Sequence, residues 1–157
     1  MTSLQGTQRN IRDMSLRRED GPAHAADAPV LQGRELAELA LAIGLEKKAL
    51  EPMLLDVREL CSYTDYILLL SARSDRQVAA VTDFIVNELK LRGQRPFGSE
   101  GEGSGQWALI DYGDAVVHVF HHPSREFYDL ESLWVDAPRV ELEVPREARI
   151  DPGEPVY

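Results

Sequence analysis

Two runs of alternating apolar residues, Trp107–Asp111 and Asp114–Phe120, stand only Tyr112 and Gly113 apart. The chain must reverse within those two residues. The runs therefore predict antiparallel strands joined by a tight turn, with Gly113 taking the positive φ that such turns demand. A different kind of strand is written at Asp65–Ser71, whose sequence DYILLLS is a continuous apolar run suited to burial on both faces. A hairpin combined with a doubly buried strand implies a mixed β-sheet. With helical segments between the strands, the fold class is α/β, a single compact domain whose sheet is flanked by helices.

The helices follow from spacing. Leu36, Leu39, Ala40 and Ile43 recur at helical intervals between Gly33 and about Leu50, and Pro52 is expected to end that helix. Met53–Val57 reads as a short strand. Ser74-Asp75-Arg76-Gln77 has the spacing of a capping box, and Val78, Val81, Phe84 or Ile85, and Leu89 continue it as a buried stripe. Gly93 is placed to stop this helix in a left-handed conformation. An extended piece at 94–97 leads into GSEGEGSG, residues 98–105, expected to be a loop. Pro123 and Ser124 open a last helix carrying Phe127, Leu130 and Trp134 on roughly one face. Residues 1–30 lack apolar periodicity and read as a flexible extension. Residues 31–137 form the domain, and 138–157 an acidic, proline-bearing tail.

Charge narrows the function. The formal net charge is −10, and residues 98–136 hold eight acidic residues against Arg125 alone. Such a surface repels nucleic-acid phosphates, which argues against direct sequence-specific binding to RNA or DNA; it would attract basic proteins, though charge alone is read first as a solvated face that aids solubility. No apolar run is long enough to cross a bilayer, so no membrane is expected. The N-terminus lacks the apolar core of a secretory signal, and its arginines are mixed with acids, unlike a transit peptide. A cytoplasmic location is the expectation. The single cysteine, Cys61, permits neither an internal disulfide nor a cysteine-based zinc site.

Four features invite a functional reading. The glycine-rich loop could cradle phosphate, but it matches no nucleotide fingerprint and carries Glu100 and Glu102. Asp111 and Asp114 flank a tight turn and could hold a divalent ion with help from Glu100 or Glu102; alternatively, Asp114 caps backbone N–H groups of the turn. His118 shares a strand face with Val116 and Phe120, where a lone histidine is usually packed or hydrogen-bonded. His121 and His122 are adjacent and point to opposite faces of an extended chain. Finally, Trp107, Tyr112, Phe120, Phe127, Tyr128 and Trp134 share the acidic segment. Most of these are expected in the core, yet Tyr and Trp ringed by polar groups are also favoured anchors of protein interfaces.

The chain also resembles a known family. Leu-Cys-Ser-Tyr-Thr-Asp-Tyr before the apolar strand and Ser-Asp-Arg-Gln-Val at a helix start are followed by Glu-Gly at the loop. Then come Trp-Ala-Leu-Ile-Asp-Tyr-Gly-Asp-Ala-Val-Val-His-Val-Phe and Arg-Glu-Phe-Tyr-Asp-Leu-Glu-Ser-Leu-Trp, ending at Trp134. In this order, over about residues 33–136, they are similar to the ribosomal silencing factor, or Iojap, family. The resemblance implies a domain of nucleotidyltransferase-like fold without transferase activity or cofactor. It implies binding to the fourteenth protein of the large ribosomal subunit, obstruction of small-subunit joining and lowered translation when nutrients are scarce. A homodimer off the ribosome is a further possibility. Trp107, Asp111, Asp114, His118, Tyr128, Glu131 and Trp134 match the family pattern and are the candidate partner-binding residues. Ala115 stands where the family usually carries a larger aliphatic residue. The alternative is a magnesium-dependent nucleotide-binding or nucleotidyltransferase-type enzyme, using Gly98-Ser99 with Asp111 and Asp114.

Overall fold

A computed structural model describes residues 29–101 and 105–154. The extension read over residues 1–30 therefore lies outside the described residues save for its last two, as does Glu102. The elements run α1 (Gly33–Glu46), β1 (Leu50–Asp56), β2 (Tyr66–Ala72), α2 (Asp75–Leu91), β3 (Gly98–Glu100) and β4 (Trp107–Asp111). They continue with β5 (Ala115–His121), α3 (His122–Tyr128), α4 (Leu130–Leu133), β6 (Arg139–Val140) and a 3-10 turn at Arg146–Ala148.

The strands make one mixed sheet in the order β3-β4-β5-β2-β1-β6. Only the central β2–β5 pair is parallel; the others are antiparallel. The two sequence signals are thus both realised, with Tyr66–Ala72 forming a strand buried along its whole length just after Asp65. At the hairpin, Tyr112 N–H donates to Ala115 C=O at 2.9 Å, and Gly113 has φ +85°. The Asp111 carboxylate accepts from Gly113 N–H at 2.8 Å, so it is Asp111 that ties the turn.

Alternation assigns the faces. Leu68 and Leu70 of β2, Val117 and Val119 of β5, and Ala108 and Ile110 of β4 meet α1 and α2 in the larger core. The buried stripe of α2 is Val78, Val81, Thr82, Ile85 and Leu89. On the opposite face, Ile67, Leu69 and Phe120 join Leu55 and Val57 beneath Cys61, Leu130 and Trp134.

Four expectations need correction. The first helix ends at Glu46, and Pro52 lies inside β1 rather than ending α1. Pro52 is tolerated because the β1–β2 register shifts between Leu50 and Met53, a bulge that relieves proline of ladder pairing. Gly98–Glu100, read as the start of a loop, pair as β3 with Asp111, Ile110 and Leu109. The last helix is two short ones, broken where Asp129 adopts φ +52°, a left-handed conformation that Asp tolerates better than most residues. Within the segment beyond residue 137, Arg139–Val140 pair with Leu55 and Leu54 of β1, and Leu142 packs against the larger core.

Candidate docking surface

The face of the sheet away from α1 and α2 is ruled by cross-strand register. Trp107 lies opposite Phe120, Leu109 opposite His118, and Asp111 opposite Val116; across the parallel pair, His118 faces Leu69 and Val116 faces Ile67. Toward β1 this face is roofed by Trp134, Leu130 and Cys61. Toward β4 the roof thins, and Trp107, Leu109 and Asp111 are only half-buried. A recess of about 210 Å³ opens there, lined by Glu100, Gly101, Trp107 and Leu109.

Trp107 organises the aromatic part. Its ring stacks on Phe120 at a centroid distance of 5.0 Å and meets Tyr128 at 4.8 Å. Its indole N–H donates to His118 Nδ1 at 3.0 Å. That bond requires an unprotonated Nδ1, and burial of His118 lowers its pKa to about 4. His118 is therefore a neutral acceptor that fixes the Trp107 ring. Phe127 extends the set, packing edge-on to Tyr128 at 5.2 Å while 81% exposed.

Of the seven candidate residues, Trp107, His118 and Tyr128 converge on one cluster. Trp134 lies nearby, packed on the small core. Asp111 shares the face but sits at the hairpin end. Asp114 belongs to the turn, where burial and then the neighbouring Asp65 raise its carboxyl pKa. Glu131 points inward, its carboxylate accepting from Arg125 Nε at 3.1 Å.

Three surface residues outside those seven complete the surface: Tyr63, Leu109 and Phe127. Tyr63 stands near Asp111 in the β1–β2 loop, and its phenol pKa is raised by burial, then by Cys61 and Asp111. Its position depends on loop geometry that spacing does not encode. A fourth residue, Arg125, did carry a signal as the lone base among eight acids.

The catalytic readings find little geometry. Gly98 and Asp111 are paired across β3 and β4, but among the described residues no group of three His, Cys, Asp or Glu side chains could hold a metal ion. Ser71 Oγ lies 2.8 Å from His122 Nδ1, yet Ser71 is fully buried and its hydroxyl also accepts from Arg125. A nucleophile must reach its substrate, and this one is sealed within the sheet.

The half-face is open, aromatic and flanked by carboxylates, a composition that suits contact with a macromolecule rather than catalysis. Comparison makes this specific. The family described as "Ribosomal silencing factor during starvation" matches residues 31–154, and the chain belongs to it. Ribosomal silencing factor RsfS of Halalkalibacterium halodurans is 37% identical over 113 residues, covering 72% of this chain and 97% of that protein. The RsfS of Bacillus subtilis is 36% identical over 110 residues, covering 70% and 93%. The maize chloroplastic protein Iojap is 32% identical over 123 residues, with 73% of this chain and 52% of the relative covered. A crystal structure of a Chromobacterium violaceum protein superposes with a TM-score of 0.65 at 33% identity, covering 73% of this chain and 95% of that one. Among the described residues, no helix is long and apolar enough to cross a membrane.

Proposed function

We propose that this protein, as a ribosomal silencing factor, binds the large ribosomal subunit through its fourteenth protein and sterically blocks joining of the small subunit. The observation that carries the proposal is the half-roofed sheet face, where the Trp107–Tyr128–Phe127 aromatics border a recess that Glu100 lines with Trp107. Asp111 lies on the same strand face, and Glu126 is exposed next to Phe127 in the chain. Aromatic anchors supply buried contact, and the carboxylates speed encounter with a basic protein and set its orientation. The mechanism is occupancy: a stoichiometric body standing where another subunit must land, with no bond made or broken. The same apolar residues would serve a second copy off the ribosome, and self-pairing would then compete with docking. Its place of action is the compartment that holds ribosomes, the cytoplasm.

The test is co-sedimentation with separated large and small subunits, followed by subunit rejoining in added magnesium. Selective binding to the large subunit with fewer joined ribosomes is expected. Phe127→Ser combined with Glu126→Lys should weaken binding by tenfold or more in a folded protein, because both side chains are exposed. Binding to neither subunit, with normal rejoining, would refute the proposal.

A further inference from the structure

The unit α3–α4 carries Phe127, Tyr128, Glu131 and Leu133 and touches the sheet through Tyr128, Leu130 and Trp134, but its one deeply buried side chain is not apolar. The only buried residue of α3 is Arg125, and α4 has none. Leu130 and, just past α4, Trp134 pack on the small core, but Phe127 and Leu133 face outward, 81% and 69% exposed. An amphipathic helix normally turns such residues to the core. Here a guanidinium takes that place, and Arg125 is only 5% exposed.

Each side of the guanidinium has a partner. Nη1 donates to the Glu51 backbone C=O and, at 3.0 Å, to Ser71 Oγ. Nε donates to Glu131 Oε2 at 3.1 Å, so one side chain links β1, β2 and α4. The acceptor on β1 is unusual. Glu51 has φ +48° at the bulge, where the strand departs from regular pairing and its carbonyl becomes available. Its carboxylate is engaged elsewhere, accepting from Ile150 N–H at 2.6 Å. A buried charge persists only when paired and hydrogen-bonded, and a rigid planar fork fixes direction in a way a single ammonium does not.

We infer that Arg125 is the positioning residue of the docking surface: its contacts with Glu51, Ser71 and Glu131 hold α3–α4 in place and thereby leave that unit's apolar residues free for the partner. The inference rests on the docking reading given above. Glu131 acts within the protein, as the counter-ion of Arg125, rather than as a contact to the ribosome.

The experiment compares the full chain with Arg125→Met, Arg125→Lys and Glu131→Gln, reading amide hydrogen exchange and affinity for isolated large subunits. In Arg125→Met, exchange across residues 122–134 should accelerate at least tenfold while β2 and β5 keep their protection, and affinity should fall at least tenfold. Arg125→Lys should restore part of both, and Glu131→Gln, which spares the bonds to Glu51 and Ser71, should change both less than threefold. Unchanged exchange over 122–134, or affinity within twofold of the parent, overturns the inference. So does loss of protection spread evenly over the sheet. If Arg125→Met does not fold, the same local-against-global comparison in Arg125→Lys decides. Should the parent chain not bind large subunits, the docking proposal fails alone, and the exchange data still decide whether Arg125 positions α3–α4.

Discussion

At the residue scale, His118 joins two requirements in one ring: it fills the sheet face beside Phe120 and presents an unprotonated nitrogen to Trp107. Its lowered pKa has a consequence for stability. The unfolded chain takes up this proton near pH 6.5, whereas the folded chain refuses it until about pH 4. Between those values the unfolded state binds more protons, so stability falls on acidification, by on the order of 3 kcal/mol at the lower end. Asp114 acts with the opposite sign, because a carboxyl with a raised pKa favours the folded state as pH falls. Comparison with His118→Gln isolates the histidine: the variant keeps an acceptor for Trp107 without a titrating group. Urea denaturation from pH 7 to 4 should show a shallower loss in the variant than in the parent. The histidine's strand face was legible from alternation alone. Its partner was not, because Trp107 and His118 are eleven positions apart and meet only through the register of the hairpin.

At the scale of elements, α2 shows how much a local motif settles. Ser74 accepts from Gln77 N–H at 3.1 Å, as the capping spacing predicts. Gln77 goes further than the motif: its side chain accepts from Arg73 N–H and donates to Lys48 C=O at 2.9 Å, joining the start of α2 to the end of α1. Gln77→Ala should cost about 1–2 kcal/mol, more than a cap alone on an exposed helix end, measurable as a lowered urea midpoint at constant slope. Helix interiors were readable because burial repeats with the helical period. Helix ends were less so. Pro52 looks like a terminator in one dimension, but α1 stops at Glu46, with Lys48 in a left-handed conformation, and proline falls in a bulge. The break at Asp129 was equally hidden, since the spacing of Phe127, Leu130 and Trp134 fits one helix as well as two short ones.

At the scale of the whole molecule, both ends of the sheet matter. The edge of β1 is covered by β6, Asp56 N–H donates to Pro138 C=O at 2.9 Å, and Arg73 pairs with Glu154 at 2.8 Å. Ending the chain after Ala137 should uncover that edge and release the bond that Ile150 gives Glu51. The expected outcome is a lower denaturation midpoint together with concentration-dependent association in sedimentation velocity. Such long-range closure leaves no mark on local pattern, and composition alone reads this stretch as a tail.

The central parallel pair brings residues 66–72 against 115–121, and the β1 edge is closed only by residues near 140. Contacts so distant along the chain form late and slowly. A chain growing from its N-terminus cannot complete this sheet until Val140 has been made. The docking surface proposed above, which draws on β4, β5 and α3–α4, therefore cannot form until the chain has been made through Trp134, well after α1 and β1.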